Sequence, residues 1–353
     1  MDLTRDRARS LLALSVTLAG VMGTLAGCKP DLGAPISLIQ GPRLLAVRGT
    51  PPEAKEGAPV SYDLLAVDVG GTIAAPAALW AVCRAPRPPS ETNAVSGACI
   101  GIPDDAGPAP TFEAPIPAPN PDDPKSSGAC SIFGPLRPPA DPNARPRDPD
   151  VTGGFYQPVR ATWSDDAAGA AGSASPLRAF ALERVQCRLG NAPIDIANQF
   201  NNPFDPATNP NGYQPNLNPA LAQLTLTPGA GGASVALAPI VTDAPVPPAI
   251  SVAPGQRVVL EGAWTSESVE TFPAYDLASV TLIPHREALR ISWFATAGTF
   301  DHDVTGRGED DAALSVSNGW LAPSAPGMVY LWLVLRDSRG GVDFASYALD
   351  VSP

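Results

Sequence analysis

The sequence predicts an all-β protein with two β-sandwich domains, the first of which carries a long Pro-rich insertion. Of its 353 residues, 44% are hydrophobic, which is enough for two domains that each bury a core. The 43 prolines and 32 glycines, against 16% charged residues, disfavour long helices. Short apolar segments recur with turn residues between them, which is typical of sandwiches.

The first 28 residues carry an export pattern. Arginines at positions 5, 7 and 9 precede an apolar run at residues 11–27. This run is too short, and contains too many Gly, Ser and Thr residues, to be a typical transmembrane span. The run ends in Leu25-Ala26-Gly27-Cys28, which resembles the lipobox of bacterial lipoproteins. An ordinary secretory signal and an uncleaved membrane anchor remain the alternatives.

The lipobox resemblance implies that residues 1–27 are a signal peptide and that Cys28 receives lipid, palmitate included. Residues 28–40 would then form the lipidated N-terminus and a tether. Lys29 stands where an Asp favours inner-membrane retention in enterobacterial lipoproteins, so the resemblance points to the outer membrane.

The first domain is predicted over residues 41–190. Residues 60–67 place Val60, Tyr62, Leu64 and Ala66 on one face, which indicates a half-buried strand. A turn at 68–72 leads to a strand at 78–83 that contains Trp80, and strand patterns return at 154–163 and 177–189. The Pro-rich residues 84–150 are predicted as an insertion, mainly an extended spacer, with a binding loop as the alternative.

Residues 191–220 are predicted as an Asn/Pro-rich linker that begins with a helical turn at 192–200. The second domain, residues 221–353, contains β-rich segments separated by turn residues, at 221–227, 258–264, 289–296, 328–336 and 342–351. The 328–336 segment is apolar on both faces, as in a central strand, and residues 337–341 are predicted as a hairpin turn.

Trp293, in the 289–296 segment, holds the position at which immunoglobulin-like sandwiches keep a tryptophan on strand C, and Trp80 holds the analogous position earlier. Together with residues 254–260 and the 334–341 hairpin, this segment resembles PKD and related Ig-like modules of bacterial surface proteins. The resemblance covers about the last hundred residues, and the stretch 265–287 departs from it. It implies an immunoglobulin-like fold for the second domain and says almost nothing about function, and the analogous position of Trp80 extends the expected fold to the first domain.

Charge and motifs exclude several classes of function. A net charge of −12 and a pI near 4.6, without a cluster of basic residues, argue against a nucleic-acid partner. The two histidines, His285 and His302, belong to no recognisable catalytic motif, and no nucleophile elbow, zinc helix or phosphate-binding loop is present. We therefore expect no enzyme and no cofactor.

The densest acidic cluster contains Asp301, Asp303, Glu309 and Asp310 in a Gly-containing loop. Oxygen ligands on such a loop suit Ca²⁺, but the spacing is not that of an EF-hand, so a solvated loop without metal is favoured. Five aromatic residues could offer a stacking surface to a glycan or peptide, but core or domain-junction packing is the favoured explanation: Phe155, Tyr156, Phe200, Phe204 and Tyr213.

Without Cys28, four cysteines remain, an even number that favours two disulfides in an oxidising compartment. Three pairings are possible. We favour Cys83 with Cys99 and Cys130 with Cys187, while Cys83 with Cys187 and Cys99 with Cys130 stays open as the alternative. No Cys-x-x-Cys pair supports metal ligation.

The sequence thus favours a lipid-anchored protein of the cell envelope with a structural, adhesive or binding role. The membrane would be engaged through the N-terminal lipid, and the partner would be an envelope protein or polysaccharide that the sequence does not identify. The second candidate is an accessory subunit of an envelope export or assembly complex, and the third is a carbohydrate-active enzyme.

Overall fold

The N-terminal sandwich is built on the alternation in residues 60–67. In the computed structural model, Val60, Tyr62, Leu64 and Ala66 of β3 (Pro59–Asp68) enter a core that also contains Trp80. Residues Ile36–Pro353 form one compact unit. The structure describes residues 35–87, 91, 94–123, 127–134, 151–164, 176–190, 192–205, 207–209, 212–229, 232–241 and 247–353.

Two sheets face each other in this sandwich. In the first sheet, the central strand β3 pairs with β1 (Arg43–Thr50), β4 (Gly71–Thr72) and β7 (Thr111–Pro115). The second sheet has the order β2 (Glu53–Lys55), β9 (Leu177–Gln186), β8 (Gly154–Trp163), β5 (Ala78–Val82) and β6 (Ala106–Ala109). Strand β2 runs parallel to β9, and the other pairs are antiparallel.

Part of the Pro-rich segment 84–150 belongs to the sandwich itself and is not spacer. Strands β6 and β7 complete one sheet each, a 3₁₀ helix spans Gly97–Ile100, and a short helix, α1, spans Ala129–Phe133. Strand β7 pairs with β3, and its proline, Pro115, is the last residue of the strand. Such short strands among prolines lack the alternation that identifies longer ones.

The C-terminal sandwich repeats this connectivity. Its first sheet has the order β11 (Val235–Leu237), β10 (Leu221–Pro228), β13 (Arg257–Trp264), β19 (Ser315–Leu321) and β17 (Thr299–Phe300). The second has the order β12 (Ile250–Val252), β21 (Val342–Val351), β20 (Gly327–Asp337), β16 (Leu289–Ala295) and β18 (Val304–Arg307). The stretch 265–287 forms a 3₁₀ turn at Ser266–Ser268 and a separate hairpin of β14 (Thr271–Asp276) and β15 (Thr281–Arg286).

Both sandwiches are immunoglobulin-like. In each, a first sheet pairs strands equivalent to A, B and E, a second pairs strands equivalent to G, F and C, and a short strand runs parallel to strand G. Trp80 and Trp293 lie on the two C strands, β5 and β16, and both are fully buried. The prediction of an all-β protein with two immunoglobulin-like sandwiches is confirmed.

The two sandwiches pack on each other sheet against sheet. Leu45 and Leu65, from the first sheet of the N-terminal sandwich, share one apolar cluster with Trp332, Val334 and Phe294 from the second sheet of the C-terminal sandwich. This contact explains why residues 328–336 are apolar on both faces, because one face enters its own core and the other enters the interface. An apolar interface between two domains restricts their relative motion.

Segments outside the sandwiches strengthen the junction. Ile39 is buried, and its backbone N–H donates to the Ala295 carbonyl at 2.8 Å, so the predicted tether is docked at its end. The predicted linker contains α2 (Ile194–Asn201), whose Phe200 packs with Tyr213 and with the β14–β15 hairpin.

Candidate functional site

A cavity of about 310 Å³ opens between the two sandwiches. Its walls come from β1 and β9 of the N-terminal sandwich and from β16, β20 and the start of β21 of the C-terminal one. Ligand sites in proteins have volumes of roughly 300 to 1,000 Å³, so this cavity has the size of a small site.

Two arginines on one wall form an unusual pair. Arg290 of β16 and Arg336 of β20 are direct cross-strand partners, and like charges in that position destabilise a sheet. Arg336 donates from Nη2 to the Leu45 carbonyl at 3.1 Å, and neither arginine has a carboxylate partner among the described residues. Burial, reinforced by the charge of Arg290, lowers the pKa of Arg336 to about 10.

The opposite wall exposes a strand edge. The Arg184 backbone N–H donates to Pro52 O at 3.3 Å, whereas the Cys187 N–H donates to Gly153 O, toward β8. Backbone hydrogen-bonding groups point to alternate sides of a strand from one residue to the next. Because Arg184 points away from β8, the backbone groups of Leu182 and Phe180, two and four residues earlier, also point away from β8. No other described strand pairs with β9 at these two residues.

Strand β1 supplies a second edge. Its Gly49 carbonyl accepts from the Asn218 side chain at 2.8 Å, and its Leu45 carbonyl accepts from Arg336, so these carbonyls point away from β3. Val47, between them, has the same orientation by alternation. Strands β1 and β9 lie close together beside the cavity, which leaves no space for a further strand between their edges.

The acidic residues of the cavity wall have partners already. Asp337 Oδ1 accepts from the backbone N–H groups of Arg339, Gly340 and Gly341 at 2.7 to 2.8 Å, which closes the predicted 337–341 turn. Glu183 is hydrogen-bonded to the Tyr62 side chain and covers Gly49, where a Cβ would collide with its carboxylate. Among the described residues, neither acid forms an ion pair with Arg290 or Arg336.

Beside the cavity lies a buried ion cluster of Glu53, Arg184, Glu270, Glu287 and Arg339. Arg339 contacts Glu287 at 2.8 Å and Glu270 at 2.7 Å, and Arg184 contacts Glu53 at 3.2 Å. Every one of these side chains is at most 5% exposed. Because the cluster joins residues of both sandwiches, it is part of the junction between them.

Negative charge exceeds positive charge in this region, and burial dominates the pKa values. Burial raises the pKa of Glu287 to about 8, with Arg339 opposing the shift. Burial also raises the pKa of Glu53, against the attraction of Arg184. The pKa of Glu183 is raised strongly by burial and further by the charge of Glu53.

These shifts predict that the protein loses stability as the pH rises. Carboxyls with raised pKa values bind more protons in the folded state than in the unfolded state, so the unfolding free energy falls with pH between the two pKa values. For Glu287 this window runs from the ordinary value of 4.5 to about 8. Urea unfolding of the full-length protein in detergent at several pH values within this window is expected to show a steady decline.

Glu183→Gln is the matched test, because it removes a buried carboxyl that titrates and leaves an oxygen that can accept from Tyr62. We expect the decline to become shallower in this variant and to stay unchanged in Glu113→Gln, an exposed position on β7. A wild-type stability that rises between about pH 5 and 8 would contradict the prediction.

The structure contains two disulfides, Cys83–Cys99 and Cys130–Cys187, which are the two pairs favoured from the sequence. The first closes a loop between β5 and the 3₁₀ helix, and the second joins α1 to the residue after β9. Cys28 lies outside the described residues.

The acidic loop residues are engaged with basic neighbours on an exposed surface. Asp301 forms an ion pair with Arg257, and Glu309 contacts His285 Nδ1 at 2.8 Å. The other two candidates, Asp303 and Asp310, are exposed. In the part of the chain that the structure describes, no three His, Cys, Asp or Glu side chains are grouped to hold a metal ion.

Sequence reasoning missed the cavity and the ion cluster. Of the five candidate aromatic residues, Tyr156 alone lines the cavity, while Phe200 and Tyr213 pack together and Phe204 is exposed. Arg339 lies in a segment predicted as an ordinary hairpin turn, yet it is 2% exposed. One signal was available, since Arg336 ends a run that is otherwise almost entirely apolar.

Comparisons with known proteins add no family. No protein-family model and no curated protein matches the chain. Among solved structures, the D00-D0 domain of intimin is similar with a TM-score of 0.20 and 7% identity, over 87% of this chain and 100% of that chain. Dimeric latent PorU from Porphyromonas gingivalis is similar with a TM-score of 0.19 and 10% identity, over 89% of this chain and 24% of that chain. Both TM-scores are too low to support an argument about fold or function.

Among the described residues, no helix has the length and apolar character needed to cross a membrane.

Proposed function

We propose that this chain is a lipid-anchored protein of the cell envelope that presents two immunoglobulin-like sandwiches as one rigid unit for binding an envelope protein or polysaccharide. The observation that carries the proposal is the sheet-to-sheet junction, in which an apolar cluster and a buried ion cluster join the two sandwiches. A rigid pair of sandwiches suits binding and spacing, since a site between them keeps its shape.

Two disulfides support an extracytoplasmic location, because such bonds persist in oxidising compartments. The export pattern and lipobox at residues 1–28 support attachment through Cys28. Crosslinking in intact cells, followed by identification of the joined molecules, tests the binding role. Crosslinks to one recurrent envelope component are the expected result, and crosslinks to cytoplasmic proteins would contradict the proposal.

The membrane anchor is tested by Cys28→Ala. We expect this variant to lose incorporation of labelled fatty acid and to move from the membrane fraction to a soluble or precursor pool, because the thiol that accepts the lipid is gone. Cys83→Ala with Cys99→Ala serves as the control, since it removes thiols that form a disulfide. Continued labelling of Cys28→Ala would refute the lipobox assignment.

A further inference from the structure

We propose that the cavity between the sandwiches binds a single small oxyanion, namely a sulfate, a phosphate or the carboxylate of a small acid, between the guanidinium groups of Arg290 and Arg336. Both side chains line the cavity. Neither arginine belongs to the apolar cluster or the ion cluster that supports the proposed binding role. The anion site can therefore be tested separately from the lipid anchor and from any envelope partner.

The two arginines reach the same space because of their register. Arg290 of β16 and Arg336 of β20 are direct cross-strand partners, and the Cβ atoms of such partners lie about 4.5 to 5.5 Å apart. Their neighbours Leu289, Ile291 and Leu335 enter the core of the C-terminal sandwich, so both arginines lie on the other face of the sheet, toward the cavity. Two guanidinium groups on one wall can hold an oxyanion between them through charge-assisted hydrogen bonds.

Arg336 is half-buried and lacks the internal counter-ion that the fully buried arginines have. Arg160, Arg184 and Arg339 each form an ion pair with a carboxylate of the chain. Among the described residues, Arg336 has no carboxylate partner, and its side chain donates only to the Leu45 carbonyl, at 3.1 Å. The repulsion within the arginine pair is therefore uncompensated, and an oxyanion from solution would relieve it.

The charge around Arg336 is positive, in a chain whose net charge is −12. Burial lowers the pKa of Arg336 to about 10 and Arg290 adds to the shift, while no carboxylate opposes it, so Arg336 stays charged at neutral pH. The two acids of the cavity wall are engaged elsewhere. Asp337 accepts from three backbone N–H groups of its own turn and from the Asn216 side chain. Burial strongly raises the pKa of Glu183, which favours its neutral form.

The cavity has the size and the lining for a small ion. Its volume is about 310 Å³, and a water molecule takes up about 30 Å³ of liquid, so an oxyanion fits together with several waters. A strand does not fit, because β1 and β9 lie close together and the Leu182 carbonyl packs against Gly340. Leu45 and Val342 supply apolar surface, and Ser338 supplies a hydroxyl group. Partial enclosure by apolar walls strengthens the attraction between an anion and the guanidinium groups.

Thermal unfolding of the full-length protein in detergent tests the site. Sulfate, phosphate or glutarate is added in increasing concentration, and chloride at equal ionic strength is the control. An anion that binds only the folded state raises the melting temperature, by roughly 2 °C at about ten times its dissociation constant. A rise with sulfate or phosphate indicates a tetrahedral oxyanion, and a rise with glutarate alone indicates a carboxylate. If none of the three raises the melting temperature more than chloride does, the inference is wrong.

Two variants separate binding at the site from the general stabilisation that sulfate and phosphate give to proteins. Arg290→Gln should lose most of the response to the anion, because Arg290 is exposed and supplies one of the two cations. Arg257→Gln removes the same charge from β13, in the other sheet of this sandwich, and should keep the response. Equal responses in Arg290→Gln and the wild type would overturn the inference.

Arg290→Glu gives a readout that a merely structural role of Arg290 would not produce. A carboxylate at this position would pair with Arg336 across the strands and replace the bound anion. Without added anion, we expect this variant to melt about 1 to 3 °C above the wild type, and the response to the anion to disappear. A melting temperature below that of the wild type would show that the two arginines do not repel each other, which contradicts the proposed site.

Discussion

Replacing Arg339 with Met is expected to cost about 3 to 5 kcal/mol of unfolding free energy, the range found when one partner of a buried ion pair is removed. Arg339 holds Glu270 and Glu287, and it also lies 4 Å from Glu53. Without it, three buried carboxyl groups would lose the cation they share, and only Arg184 would remain to compensate those that are ionised. The midpoint of urea unfolding at neutral pH measures the loss.

Replacing an exposed arginine is the matched control, because it removes the same charge without leaving buried carboxyl groups. Arg257 forms an ion pair with Asp301 on the surface, and its side chain is 60% exposed. Because exposed pairs contribute about 0 to 1 kcal/mol, Arg257→Met should have a small effect. The cost of Arg339→Met should grow as the pH rises through about 8, where Glu287 loses its proton and needs the charge of Arg339. Equal costs in the two variants would show that the ion cluster does not stabilise the junction.

Loss of the Cys130–Cys187 disulfide is expected to produce the second large effect. Its cysteines are 57 positions apart, and the entropy of closing loops between 15 and 100 residues corresponds to roughly 3 to 4.7 kcal/mol. Replacing both cysteines with Ala removes this restriction on the unfolded chain. It also releases α1, whose Ala129 is buried in the sandwich core.

The second disulfide provides the comparison. Cys83 and Cys99 are 16 positions apart, so replacing both with Ala should cost less, close to the lower end of that range. Both double variants are compared with the wild type by urea unfolding without reductant. A larger loss from the Cys83 and Cys99 replacements would contradict the loop-length argument.

The long strands and their core faces could be predicted from the sequence, because alternation is a local property. Residues 154–163 coincide with β8, and the face of Val60, Tyr62, Leu64 and Ala66 is the buried face of β3. Trp80 and Trp293 were assigned to strand C of each sandwich for the same reason. Short strands such as β6 and β7 could not be predicted, since their four or five residues lie among prolines and show no alternation. They are strands because they pair with β5 and β3, which are distant in the sequence.

The candidate site could be assembled only from the tertiary structure. Arg290 and Arg336 are unremarkable along the sequence, and they become a pair of uncompensated charges only because β16 and β20 place them side by side. The buried Arg339 lies near carboxyl groups that are far from it in the sequence, such as that of Glu53. The packing of the two sandwiches brings these side chains together. Local pattern therefore predicted the sandwich fold and the favoured cysteine pairs, which the structure contains, and an export signal that stays a prediction. The cavity and its charge arose from long-range contacts, because electrostatic energy depends on neighbours in space and on burial, neither of which adjacent residues reveal.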